Sequence, residues 1–358
     1  MTIRSRTGTR TKKTVIHRIL YMIIISLVLF VGTAFLLPAR VHVERSIEIQ
    51  RPVSTVFSMV NGFESYAAWS PWLVRDPAMQ YQISGPDTGT GARFEWQGDP
   101  RQVGSGWQEI TYSEPYRLVK TDVQLDQQSA AQTYFHIERI AGGSRLTWGF
   151  EADLTAGRGL ATGILARWFG LFFDRWIGMD YEEGLGRLKK FAESLPAVDF
   201  AGLDIEIVDV EPVDVLYVPV GGKGEQAGVA GSMAEAFRQI TAFMAEQGLA
   251  MSAQPMAITR SWDEKEFRMD AAIPVERKEV QTMGKVRWGQ SPSGRAVRLV
   301  HRGPYDSMAP SYEKLAAYMA VHGLVEGKIS WEHYISDPIE TDPGQLLTYI
   351  YFLVDESS

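Results

Sequence analysis

The chain has 358 residues, 45% hydrophobic and 22% charged, with a formal net charge of −7 at pH 7 and no cysteine. That length exceeds one ordinary core and points to two or three domains. The acidic balance weighs against a nucleic-acid binder, and the missing cysteine excludes disulfides, thiolate metal sites and a cysteine nucleophile.

Arg4, Arg6, Arg10, Lys12, Lys13 and Arg18, with no acidic residue among them, precede a run of 19 uncharged residues from Ile19 to Leu37. As a helix this run is about 28 Å long at ~1.5 Å per residue, enough to span a bilayer. The positive-inside rule keeps a basic tail, 1–18, in the cytoplasm and sends the rest outward. The expectation is a single-pass inner-membrane protein with a transmembrane helix over 19–37, its N-terminus inside and its domains periplasmic or extracellular. A cleaved signal peptide is the competing reading, but Phe35-Leu36-Leu37-Pro38-Ala39-Arg40 offers no small-x-small cleavage site. With the six basic residues set aside, the −7 becomes −13 for the body. No basic patch or helix-turn-helix pattern offsets it, so nucleic acid is not expected as a partner.

From Val41 the pattern alternates through Val43, Arg45, Ile47 and Ile49, as in a half-buried strand. Pro52 opens a short helix through Val60. The aromatic cluster from Tyr66 to Trp72 reads as a loop. Strands follow at Arg93–Gln97, Gly106–Ser113, Tyr116–Leu125, Thr133–Ile140 and Ser144–Ala152, spaced as an antiparallel sheet. A helical stretch from Leu160 to Phe191, as one helix or two, closes the region, with Trp168, Phe172, Trp176 and Leu185 among its apolar positions.

Strand, short helices, sheet and closing helix describe a helix-grip. Several segments carry a resemblance: Val43-Glu44-Arg45-Ser46-Ile47, Trp69-Ser70-Pro71-Trp72, Gly91-Ala92-Arg93-Phe94-Glu95-Trp96, Gly104-Ser105-Gly106-Trp107 and Gly178-Met179-Asp180-Tyr181. Over residues 41–195 the chain resembles the START-related SRPBCC superfamily, in its polyketide cyclase/dehydrase branch. The resemblance implies a hydrophobic cavity between sheet and long helix.

Beyond residue 200 the chain repeats itself. Ser232 to Leu249 and Ser307 to Leu324, 18 residues each at an offset of 75, agree at 8 positions. Val215–Val218 answers Val297–Val300, and Phe267–Val275 answers Leu346–Val354, so each half reads strand, helix, strand, strand. The seam between two such halves is a natural place for a site, and the chemistry should sit where the copies differ.

His301-Arg302-Gly303-Pro304-Tyr305-Asp306 and Trp331-Glu332-His333-Tyr334-Ile335-Ser336-Asp337-Pro338 resemble the GyrI-like small-molecule-binding domain, also the effector domain of AraC-type regulators, over 203–355. That resemblance implies that Glu332 lies among aromatic side chains and meets cationic, lipophilic ligands. The repeat points the same way, since Glu332 aligns with Ala257 at the offset of 75 and the carboxylate belongs to one copy alone. On a strand, Glu332 and Tyr334 share one face while Trp331 and His333 share the other. Tyr305 and Tyr312 can bring ring faces to a cation, each contact worth on the order of 1 kcal/mol. Judged by residue type alone, Glu332 would be a surface residue on an edge strand.

The fold class expected is α+β: a transmembrane helix, a START-like helix-grip domain, then a duplicated GyrI-like domain. The function expected is membrane-anchored binding or sensing of hydrophobic, cationic small molecules through Glu332, Tyr334, Tyr305 and Tyr312. One alternative is a hydrolase in which Glu332 activates water and Tyr305 donates a hydrogen bond; another is a scaffold with filled cavities. No cofactor is expected, and the six histidines, lacking an i,i+4 pair, give no metal site. The glycine-rich Gly85–Gly91 and Gly221–Gly224 read as turns rather than phosphate loops, and Gly289–Gly294 reads as a hairpin loop. Glu182 and Glu183 read as a solvated face, and the tryptophans at 69, 72, 96 and 107 as sheet and cavity packing.

Overall fold

The structure, a computed structural model, describes residues 8–126, 131–223, 227–263, 266–276, 282 and 284–355. Arg4 and Arg6 of the basic tail and Gly224 of the second glycine run lie outside these residues. The chain is α+β, with two antiparallel sheets in two units. One comprises Met1–Gln50 and Met59–Ala192, the other Arg51–Ser58 and Glu193–Ser358.

Helix α1 (Gly8–Ala34) starts inside the basic tail and ends short of Leu37. There the amides of Phe35 and Leu36 turn back to the carbonyls of Gly32 and Thr33. Its segment His17–Ala34 has a mean hydropathy of 1.9 and is exposed apart from its last turns, where Ala34 is buried. A helix of that length and apolarity suits a membrane span and equally a signal sequence.

The first unit is built on strand β1 (Arg40–Ile49), the last two residues of helix α2 (Val53–Val60), helices α3 (Tyr66–Trp69) and α4 (Pro71–Arg75), and strands β2 (Gln80–Ser84) and β3 (Arg93–Gln97). Strands β4 (Ser105–Glu114), β5 (Leu118–Leu125), β6 (Ala131–Ile140) and β7 (Gly143–Asp153) and helix α5 (Leu160–Ser194) complete it. The sheet order is β1-β7-β6-β5-β4-β3-β2. Strand β2 is an edge strand beyond those expected from the sequence. The aromatic cluster is two short helices rather than a loop, because Ser70 caps the second through its hydroxyl and Pro71 starts it. The closing segment is one helix of 35 residues despite its glycines. Two of those glycines permit close packing: a Cβ at Gly184 would lie 2.8 Å from the Trp148 ring, and one at Gly178 would strike the Arg45 guanidinium. Glu182 and Asp174 hold that guanidinium at 2.7 and 3.1 Å, and Glu183 pairs with Arg187, so the exposed acidic face is ion-paired.

The second unit contains β8 (Ile205–Val210), β9 (Asp214–Lys223), α6 (Ala227–Gln247), β10 (Met256–Trp262), β11 (Glu266–Pro274), β12 (Arg287–Gln290) and β13 (Gly294–Arg302). Helix α7 (Ala309–Val321) and strands β14 (Glu326–Tyr334) and β15 (Leu347–Val354) follow. All eight strands form one sheet in the order β12-β9-β11-β10-β14-β15-β13-β8. The two copies, β9-α6-β10-β11 and β13-α7-β14-β15, meet where β10 pairs with β14. Gly221 and Gly222 lie inside β9, not in a turn. Gly289–Gly294 is not a hairpin either: β12 is an edge strand and β13 stands next to the opposite edge. A flat sheet would separate β12 from β13 by six spacings of ~4.8 Å, about 29 Å. The connector Ser291–Ser293 reaches at most roughly 14 Å, so the sheet must roll. Met256, Ile258, Trp331 and Tyr351 pack together inside the roll, with Trp331 stacked on Tyr351 at 4.6 Å. The helices cover the other face, α6 over one core cluster and α7 over a second.

Candidate functional site

The register of the seam fixes the symmetry. Across β10 and β14, Ala257 is the direct partner of Glu332. These are also the residues that correspond in the two copies, so the pseudo-twofold axis passes between them. Directly opposed residues of an antiparallel pair point to the same face, here the one carrying the helices, since Ala257 belongs to the core under α6. Glu332 therefore stands where the two half-cores meet, on a central strand and half-buried, not on an exposed edge.

Its two hydrogen-bond partners come from one copy. Tyr312, on the second turn of α7, donates its hydroxyl to Glu332 Oε1 at 2.6 Å, and Tyr334, two residues along β14, donates to Oε2 at 2.7 Å. Tyr305, on the turn before α7, sets its ring edgewise against Tyr334 with centroids 5.1 Å apart, and Phe237 of α6 meets Tyr334 at 6.3 Å. The structure thus brings Glu332, Tyr334, Tyr305 and Tyr312 together. Tyr305 is the most open of the four at 36% exposure. Desolvation first, and the charge of Glu332 second, raise all three phenols above their ordinary pKa, Tyr312 and Tyr334 far above it. They remain hydrogen donors across the physiological range. In the first copy Phe237 and Thr259 occupy the places of Tyr312 and Tyr334, so the whole constellation is confined to the second.

Two histidines of this unit respond to acid. Burial lowers the pKa of His322 and His333, partly offset by hydrogen bonds to the carbonyls of Tyr318 at 2.8 Å and Gln254 at 3.1 Å. The unfolded chain takes up these protons near pH ~6.5, before the folded domain does. The second unit is expected to hold its full stability above that pH and to lose it progressively as pH falls below it, by up to ~1.4 kcal/mol per pH unit for each histidine. Hydrogen exchange of the β15 amides against pH checks this. Protection that stays flat or rises on acidification would contradict it.

A second candidate lies in the first unit. Between its sheet and α5 is a cavity of about 250 Å³, walled by Tyr66, Phe94, Trp96, Trp148, Phe150 and Tyr181 among others. Its polar wall is a cluster in which Gln108 donates to Thr121 at 2.9 Å and Thr121 meets Thr133 at 2.6 Å, all three buried. Elsewhere on the lining, Asp180 accepts from Trp72 Nε1 at 3.2 Å and is ion-paired with Arg75. The indole N–H of Trp148 is buried without a partner among the described residues, an unmet donor in a cavity-lining residue. Trp72 and Trp96 line the cavity and Trp69 is core, whereas Trp107 packs outside it under Arg93 at 4.3 Å. Sequence reasoning missed Gln108, Thr121 and Thr133, which stand on three strands and share no local spacing. Among the described residues, no cluster of three histidine or acidic side chains could hold a metal ion.

Residues 40–193 match the family model for polyketide cyclase/dehydrase and lipid transport, and residues 203–355 match that of the GyrI-like small molecule binding domain. No curated protein matches the chain. Among solved structures, the C-terminal domain of EcmrR is similar at 19% identity and a TM-score of 0.38, covering 43% of this chain and 98% of that one. A hydrolase from Listeria innocua is similar at 16% identity and a TM-score of 0.33, covering 47% and 98%. Protein Ms6760 from Mycobacterium smegmatis is similar at 12% identity and a TM-score of 0.31, covering 43% and 92%.

Proposed function

We propose that this chain, which joins a polyketide cyclase/dehydrase domain to a GyrI-like small-molecule-binding domain, is a membrane-anchored binder or sensor of hydrophobic cations. The observation that carries the reading is the state of Glu332. Its two oxygens accept only phenol hydrogens, and no arginine, lysine or histidine among the described residues pairs with it. A half-buried carboxylate without a cation is costly, and an incoming cation supplies the missing partner. The rings of Tyr305, Tyr312 and Tyr334 would add cation–π attraction to that charge. The anchor is α1, with the basic tail inside and both domains outside. The cavity of the first unit argues against a scaffold filled by its own side chains; it would take an apolar molecule with a hydroxyl or carbonyl for the Gln108 cluster.

The test is binding of tetraphenylphosphonium to the full chain in detergent. Glu332→Gln keeps the shape and removes the charge, and is expected to cost about 2 kcal/mol, roughly thirtyfold in affinity. Neutral triphenylphosphine oxide should not discriminate between the two proteins. Unchanged phosphonium affinity in the variant would remove Glu332 from the site. Recovery of an ester-bearing cation intact after long incubation separates binding from hydrolysis at the same carboxylate.

A further inference from the structure

The long helix α5 has two unlike halves. From Gly178 onward it buries Tyr181, Gly184, Leu185 and Leu188 against its own unit. Before that, Leu160 to Phe173 contains a single charged residue, Arg167. Leu165, Phe169, Phe172, Trp176 and Met179 are each 49–56% exposed. Their spacing of four, three, four and three residues places them in one stripe along the helix. A shallow groove of about 440 Å³, lined by Leu154, Leu165, Phe169, Phe173 and Trp176, runs beside it.

What covers this stripe is indicated by its neighbour. Trp168 stacks on Phe30 of α1, with centroids 5.0 Å apart and planes within 6°, and its Nε1 donates to the Phe30 carbonyl at 3.3 Å. Arg167 donates to the carbonyl of Leu37, where the chain leaves α1. The apolar half of α5 is thereby held at the end of the segment that suits a bilayer span. We infer that this half-helix lies in the outer interface of the same membrane, with Phe169, Phe172 and Trp176 among the acyl chains and the groove occupied by lipid. The composition fits, since tryptophan and phenylalanine on an amphipathic helix favour the headgroup boundary, and the exposed Arg175 beside the stripe can reach the headgroups. The first domain is then fastened flat to the membrane rather than tethered above it.

This inference rests on the anchor reading of α1, and the test separates the two. The natural chain has no cysteine, so single cysteines can be placed at Ile25 in α1, at Phe172 or Trp176 in the stripe, and at Asp87 on an exposed loop. The full chain carrying a bimane label is reconstituted into phosphatidylethanolamine–phosphatidylglycerol vesicles containing doxyl-labelled lipid. Ile25→Cys, Phe172→Cys and Trp176→Cys are expected to show blue-shifted emission that the doxyl lipids largely quench, while Asp87→Cys is quenched only by aqueous iodide. Quenching by lipid at 25 but not at 172 or 176 overturns the inference and leaves the anchor standing. Absence of lipid quenching at all of them overturns both. Shielding of 172 from lipid and iodide alike, with disulfide-linked dimers of Phe172→Cys, overturns it in favour of a second copy on the stripe.

Discussion

Trp148→Ala is expected to destabilise the first domain by about 4 kcal/mol, the middle of the range for removing a buried tryptophan. Trp148 is 2% exposed, stacks on Tyr181 at 3.9 Å and meets Trp69, Trp72 and Phe135 at 5.6, 5.6 and 5.0 Å. It is therefore the side chain through which α5 and α4 rest on the sheet. The loss should appear as a fall of about a thousandfold in the protection of β6 and β7 amides that exchange by global unfolding, taking ~1.4 kcal/mol per tenfold. Protection in the second unit serves as the internal control. Trp148→Phe should recover much of the loss, since its N–H has no partner to give up. A decrease below tenfold in Trp148→Ala would mean that the ring packs more loosely than its contacts imply.

The first fold was legible because alternation and glycine punctuation are local signals, and six of its seven sheet strands follow from them directly. The closing stretch was harder, left open between one helix and two, and its sequence carries Gly163, Gly170, Gly178 and Gly184. At Gly178 and Gly184 they are sites of close approach, a property of what lies opposite and not of the helix itself. The same limit hid the Gln108 cluster, whose members meet only through the register of β4, β5 and β6. It also hid the exposure of Phe172 and Trp176, since apolar periodicity marks a stripe but not what covers it. Glu332 was singled out for a different reason: its motif resembles the GyrI-like family, and the repeat, which compares the chain with itself, shows the difference between copies without any knowledge of packing. That Ala257 and Glu332 face each other across the axis could not be read, because an axis is defined by strand pairing.

That axis makes the strongest test of the second domain. Ala257→Glu would set a second carboxylate directly opposite Glu332, at a position only 1% exposed. Ala257→Gln introduces nearly the same volume without charge and is expected to cost about 1–3 kcal/mol from overpacking. The acid should cost roughly 3 kcal/mol more at pH 7, since two carboxylates sharing one site cannot both ionise cheaply. The added cost has a definite sign with pH. A carboxylate pair whose folded pKa is raised is penalised above its unfolded value near ~4.3 and relieved as pH falls below it. The difference between the two variants should therefore shrink in acid. Exchanging the residues, Ala257→Glu with Glu332→Ala, returns a single carboxylate to the axis and should recover most of the stability lost to charge. Affinity for the cation should not return with it, because Phe237 and Thr259 in the first copy offer neither of the phenols that Tyr312 and Tyr334 direct at Glu332. Equal stability of Ala257→Glu and Ala257→Gln would show that the two positions do not share a desolvated site. Restored binding in the exchanged protein would show that the charge alone, and not its tyrosine cradle, selects the ligand.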